Sequence, residues 1–130
     1  MAEKTELKMQ LKRKCSCKGD NLDKFVQPNI LLELTRGKLH GYLLIQELEK
    51  KSLFCGNTLD NAGVYRTLKS MESRNLIRSE WDMEDPGPAK KVYMITPEGL
   101  QCLGNWLRTL EDYRAKVDEL IDEIKNAVKG

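Results

Sequence analysis

The sequence predicts a mainly α-helical protein with a two-stranded β-hairpin and a long C-terminal helix. Apolar residues recur at three- and four-residue spacings through most of the chain from Phe25 onward. Two short period-two runs, "LIRSEWDM" and "KKVYMIT", are separated by an acidic Pro/Gly loop. After them, "TPEG" opens an apolar repeat that continues almost to the C-terminus. At 130 residues the chain amounts to one domain with a real core.

Residues 1–20 are lysine-rich and punctuated by Gly19 and Asp20, which predicts a basic arm with little stable helix. In "LDKFVQPNILLELTRGK", Phe25, Val26, Ile30, Leu31 and Leu34 form one apolar helix face. Pro28 fits its first turn, where the missing N–H costs least, and Gly37 ends it. His40-Gly41 makes a tight entry to a second helix striped by Leu44, Ile45 and Leu48. His40 reads as a packing or capping residue. "SLFCGNTLD" is a connecting loop whose Asp60 can cap the next helix.

That third helix, about Asn61 to Ser73, places Val64, Leu68 and Met71 inward at i, i+4, i+7. Tyr65, Arg66, Lys69 and Ser73 then face solvent. In the hairpin, Ile77, Ser79, Trp81 and Met83 alternate with Arg78, Glu80 and Asp82, and Trp81 is expected to pack on the domain. The joining segment holds Asp85, Pro86, Gly87 and Pro88, so neither strand can continue through it. Two strands alone are marginal in water and must pack on the helices. Thr96 as N-cap, Pro97 and Glu98 then begin a helix of about thirty residues, against a mean of about 11–12. Its apolar positions include Leu103, Leu107, Leu110, Val117, Leu120 and Ile124. So small a first half cannot cover the outer half of that helix, so it needs a partner, most simply a second copy.

Composition narrows the function classes. No apolar run approaches the roughly 20 residues of a membrane span, and "MAEKTELKMQLKRK" lacks an apolar signal core, so a cytoplasmic location without membrane contact is expected. The net charge of +2 does not announce a nucleic-acid partner, yet Arg66, Lys69, Arg74 and Arg78 face a single acid, Glu72, between Ala62 and Arg78. The four cysteines are expected to be thiols. Cys15 and Cys17 sit in a C-x-C spacing that does not match a zinc knuckle, so no metal is assigned and no cofactor is implied. The chain has one His and neither a Gly-rich phosphate loop nor an H-E-x-x-H motif, which argues against an enzyme and leaves no catalytic residue to assign.

Helix, helix, helix, hairpin, long helix is the order of a winged helix-turn-helix followed by a dimerisation helix. A helix fits the DNA major groove, and a hairpin beside it can reach the backbone or the minor groove. The element order divides the chain into the arm 1–20, a winged domain 21–96 and a C-terminal helix 97–130.

"GKLHGYLLIQELEK", "GVYRTLKSMESRNLIRSEWD" and "GPAKKVYMITPEGLQCLGNWL" together resemble the PadR family of bacterial transcriptional regulators, over about Phe25 to Leu110. The resemblance implies a homodimeric regulator of double-stranded DNA with an inverted-repeat operator, usually a repressor released by a small hydrophobic or aromatic effector. It places Asn61, Tyr65, Arg66 and Lys69 on the recognition helix, and Lys90 and Lys91 on the return strand of the wing. Trp106 is the aromatic that could meet a planar effector between subunits, although packing in the core competes for it. Gly63 departs from the Ser or Thr of many members. Asp82, Glu84 and Asp85 would repel phosphate unless they face away from DNA. Two alternatives stay open: an adaptor that binds protein through the same helices, and a thiol- or metal-responsive regulator using Cys15 and Cys17.

Overall fold

The computed structural model describes residues 25–51, 59–83 and 87–129. The expectations for the N-terminal arm, for Cys15, Cys17 and Cys55, for most of the "SLFCGNTLD" loop, and for Glu84 and Asp85 lie outside these residues.

The first helix, α1 (Val26–Thr35), buries Val26, Ile30, Leu31 and Leu34, the face its spacing dictates. Glu33 is buried with them. Its carboxylate lies 2.9 Å from Arg36 and 3.0 Å from Lys51, and a buried acid persists when such partners compensate its lost hydration. Because Lys51 follows the second helix, this contact also clamps the two helices together.

Leu39 and His40 form a short strand, β1, and the second helix, α2 (Gly41–Glu49), starts directly from it. The hairpin therefore belongs to a three-stranded antiparallel sheet of order β1-β3-β2, with β2 spanning Ile77–Asp82 and β3 spanning Lys90–Ile95. Leu39 pairs with Tyr93 and His40 with Val92. This third strand corrects the two-stranded expectation: its two residues are too few to carry a periodicity.

Helix α3 (Asn61–Ser73) buries Val64, Leu68 and Met71 against Leu44, Ile45 and Leu48 of α2 and the α1 face. Asp60 occupies the N-cap position but makes no side-chain cap hydrogen bond to the helix backbone, contrary to expectation. Its carboxylate turns toward Arg66, 3.7 Å away. The exit is tighter. Asn75 adopts φ +62°, its N–H donates to the Glu72 carbonyl, and the Leu76 N–H reaches back to the Met71 carbonyl. This is a Schellman stop with asparagine in the left-handed position that glycine usually fills.

Strand register runs from Ile77↔Ile95 to Asp82↔Lys90. Ile77 is fully buried and Tyr93 nearly so, but β2 then runs past the edge of the core. Trp81 is consequently 62% exposed and does not pack on the domain, a second correction.

The chain turns from the sheet into the last helix, α4 (Pro97–Lys129), at Thr96. The buried Thr96 hydroxyl accepts the Gly99 N–H at 3.0 Å, the expected N-cap. Its single proton has the Asn75 carbonyl at 2.6 Å and the Leu76 carbonyl at 2.9 Å. A Cβ on Gly99 would collide with that Leu76 carbonyl and stand 2.7 Å from Ile95, so the close approach requires glycine. Cys102, Leu103 and Trp106 then pack on the core, while every residue from Glu111 to Lys129 is exposed.

Two stability tests follow from this packing. Gly99→Ala should lower the unfolding free energy by about 1–3 kcal/mol, the usual cost of forcing atoms into a filled site, read from the urea midpoint at constant m. The second concerns Tyr93. Burial, with the charge of Glu72 and the neighbouring Tyr65 adding to it, raises its phenol above the ordinary 10.0. The folded state thus favours the neutral phenol, a contribution complete below the unfolded value and lost as pH climbs through the folded one. Stability between about pH 9 and 11 should decline less steeply in Tyr93→Phe than in the parent chain.

Candidate nucleic-acid interface

Burying Val64, Leu68 and Met71 leaves a defined opposite face on α3. Asn61, Tyr65 and Lys69 stand four residues apart along one ridge of that face, with Arg66 beside them, and all four are exposed. Tyr65 is only part free. A Cβ on Gly41 would sit 2.8 Å from its ring, so the glycine at the start of α2 is what lets the tyrosine lean across the turn between the helices. The Arg66 guanidinium and the Asp60 carboxylate are each about three-quarters exposed, so their 3.7 Å contact costs little to exchange.

The two wing lysines are not equivalent. Successive strand residues point to opposite faces, and Lys90 and Lys91 do so. Lys91 pairs across the strands with Trp81, and its ammonium lies 5.9 Å from that ring's centroid. It is also 3.8 Å from Glu72 of α3. Lys90 instead stands 5.3 Å over the ring of Tyr42, an exposed residue of α2. Tyr42, Tyr65, Gly41 and both lysines share a recess of about 170 Å³ that joins α3 to the β2–β3 hairpin. The sequence pattern did not single out Tyr42, although it directly follows Gly41 in "HGY" and lines the recess with it.

Two side-chain contacts hold the wing. Glu72 accepts the Ser79 hydroxyl at 2.6 Å, fixing β2 against the inner flank of α3. On the other sheet face, His40 Nε2 lies 3.1 Å from Asp82 Oδ2. His40 therefore occupies the N-cap position of α2 without a side-chain cap bond, and its ring lies 6.1 Å from that of Tyr42 while its Nε2 reaches the wing. Asp82, one of the three acids expected to face away from DNA, is drawn toward β1.

The residues read as dimer-forming divide into two groups. Leu103 and Leu110 are partly covered, and with Phe25, Pro28 and Leu32 they line an apolar groove of about 320 Å³ between α1 and α4. Leu107, Val117, Leu120 and Ile124 are exposed. Trp106 packs partly against this chain's own core. Among the described residues no cluster of His, Cys, Asp and Glu could hold a metal ion, and no helix is long and apolar enough to cross a membrane.

Comparison with known proteins bears on the family and the fold. The model of the transcriptional regulator PadR-like family matches residues 30–105. A transcriptional regulator of Mycobacterium tuberculosis is 33% identical over 92 residues, 71% of this chain and 81% of that protein. A longer candidate regulator from the same organism is 32% identical over 78 residues, which span only 41% of its length. Among solved structures, a candidate transcriptional regulator from Thermoplasma acidophilum superposes with a TM-score of 0.68 at 29% identity, covering 78% of this chain and 94% of that one. Bacillus subtilis PadR, solved in complex with operator DNA, superposes with a TM-score of 0.54 at 27% identity over 62% of this chain and 45% of its own. With the family match spanning more than half its length, this chain belongs to the PadR-like family of transcriptional regulators.

Proposed function

We propose that the chain acts as a homodimeric, DNA-binding transcriptional repressor. The carrying observation is the single exposed ridge of Asn61, Tyr65 and Lys69, with Arg66 beside it, on a helix whose other face is the core. An α-helix presenting such side chains fits the major groove, where arginine and asparagine can read base edges and lysine can meet phosphate. The operator complex of the B. subtilis relative supports carrying DNA binding over to this fold. In this reading Lys90 is the principal wing contact with the backbone, and Lys91 is the secondary one because Glu72 shares its ammonium.

The second half of α4 supports the dimer. Val117, Ile121, Ile124 and Val128 recur at four, three and four residues and are all exposed. An isolated helix gains little from its own backbone bonds, so such a stripe is stabilised by packing on another helix. Two-fold pairing of α4 would present two recognition helices to an inverted repeat, with half-sites about 34–36 Å apart or a multiple of that. A small hydrophobic or aromatic effector would meet Trp106 and the α1–α4 groove.

Four measurements test these assignments. The DNA upstream of the chain's own gene should give a specific, salt-sensitive band shift, and its absence over any such fragment overturns the regulator reading. Arg66→Ala should cost about 1–3 kcal/mol on the preferred site and relax its sequence preference. Lys69→Ala should weaken all sequences alike and reduce the salt slope by about 0.9 for each phosphate no longer neutralised. In sedimentation equilibrium, Leu120→Asp with Ile124→Asp should yield monomers, because a carboxylate pair cannot be buried in an apolar seam without partners. A monomeric parent chain would overturn the dimer.

A further inference from the structure

The wing carries its own competitor for DNA. Asp82 is the cross-strand neighbour of Lys90, and directly opposed residues in an antiparallel pair have Cβ atoms about 4.5–5.5 Å apart. At that separation an ammonium on a flexible four-carbon stem reaches the carboxylate easily. An Asp82–Lys90 pair would add little stability, as exposed ion pairs do. It would nevertheless neutralise the cation assigned to phosphate and set a negative charge beside it.

The observed arrangement is different. The Asp82 carboxylate is taken by His40 Nε2 at 3.1 Å, and the Lys90 ammonium stands over the Tyr42 ring. A carboxylate only accepts, so the His40 Nε2 carries the hydrogen and donates it. His40 can do this because β1 pairs with β3, opposite Val92, which brings the imidazole to the sheet face that Asp82 and Lys90 share. Both partners are largely shielded, with side-chain exposures of 21% and 24%, so water competes weakly for the bond. Lys38 and Glu80 line the same recess, and the imidazole lies within hydrogen-bond distance of the carboxylate.

We infer that His40 is a positioning residue for DNA binding: by holding Asp82 on the β1 side of the sheet it keeps the Lys90 ammonium free for phosphate. The inference rests on the DNA-binding reading above. It gives a specific task to an acid that otherwise works against that reading.

Non-specific binding is carried by phosphate contacts, so the test needs no operator. The full chain is titrated against a fluorescently labelled mixed-sequence DNA duplex across a salt series, and log K is plotted against log salt. His40→Ala should flatten the slope by about 0.9 for each phosphate that Lys90 ceases to neutralise, as should Lys90→Met. The two changes together should do no more than either alone. His40→Gln, which keeps a donor near the Nε2 position, should restore most of the slope, and His40→Ala should be silent in an Asp82→Asn background. Should His40→Ala not fold, His40→Phe keeps the ring volume without the donor and is read the same way.

An unchanged slope in His40→Ala overturns the inference. So does a drop in affinity that is equally large in the Lys90→Met or Asp82→Asn background, because a merely structural histidine would behave so. If Lys90→Met leaves the slope untouched while Lys69→Ala flattens it, the wing contact fails and this inference with it, but the recognition helix stands. If the parent chain shows no salt-sensitive binding, the DNA reading itself is what failed.

Discussion

The carbonyl of Leu76 is where the working parts of the chain meet. It accepts the Thr96 N–H at 3.2 Å, lies 2.9 Å from the Thr96 hydroxyl, and sits against the bare Cα of Gly99. Leu76 itself is held by the Met71 carbonyl at the exit of α3. The end of α3, the root of the β2–β3 hairpin and the start of α4 are therefore joined through one peptide unit and its neighbours. Every group there is satisfied internally, which a buried polar junction must achieve to be stable. The joint sets the angle at which α4 leaves the domain. In the proposed dimer, that angle sets where the recognition helices lie relative to each other.

Much of this was legible in the sequence because it follows from short-range rules. Periodicities of 3.6 and 2 located α1, α2, α3 and both long strands, and Thr96-Pro97-Glu98 announced the start of α4. What stayed hidden depends on which distant residues meet. Two extended residues, Leu39 and His40, carry no repeat, so β1 exists only because β3 lies beside it. Trp81 follows the alternation of β2 faithfully, but alternation does not say where the core ends. The Schellman stop was obscured because asparagine, not glycine, supplies the left-handed residue. In the candidate site, the outward ridge of α3 was readable from its apolar face alone. The unequal roles of Lys90 and Lys91 were not, since they depend on Tyr42, Glu72 and Trp81 arriving from other elements.

The near-neutral charge of the chain is a sum that conceals its distribution. Several acids are engaged inside the domain: Glu33 with Arg36 and Lys51, Glu72 with Ser79 and Lys91, Asp82 with His40. Each of these joins two elements or steadies an end of one, so their charge is used in building the fold. Among the described residues, the cations on the α3 ridge are balanced less closely, by one loose contact between Arg66 and Asp60. A field suited to a polyanion can thus coexist with a small net charge, because fields near a surface depend on local placement and are screened within about 8–10 Å at ordinary salt.

The uneven burial of α4 bears on how the domain could be controlled. Its first turns are fixed to the core through Gly99, Cys102, Leu103 and Trp106, while the remainder extends as an uncovered rod. At 1.5 Å per residue the 33-residue helix is about 50 Å long, so a small change of angle at its base becomes a displacement of several ångströms at its far end. In a paired helix the lever works the other way: with the far ends held together, a change in packing at the base rotates the winged domains. The α1–α4 groove, lined by Leu32, Leu103 and Leu110, lies at that base and next to the part of α4 that is only half covered. A ligand can shift such an equilibrium only by binding one arrangement better than the other. A groove whose two walls belong to the elements that would move meets that condition, whereas a site within the tightly packed Leu76 joint would not.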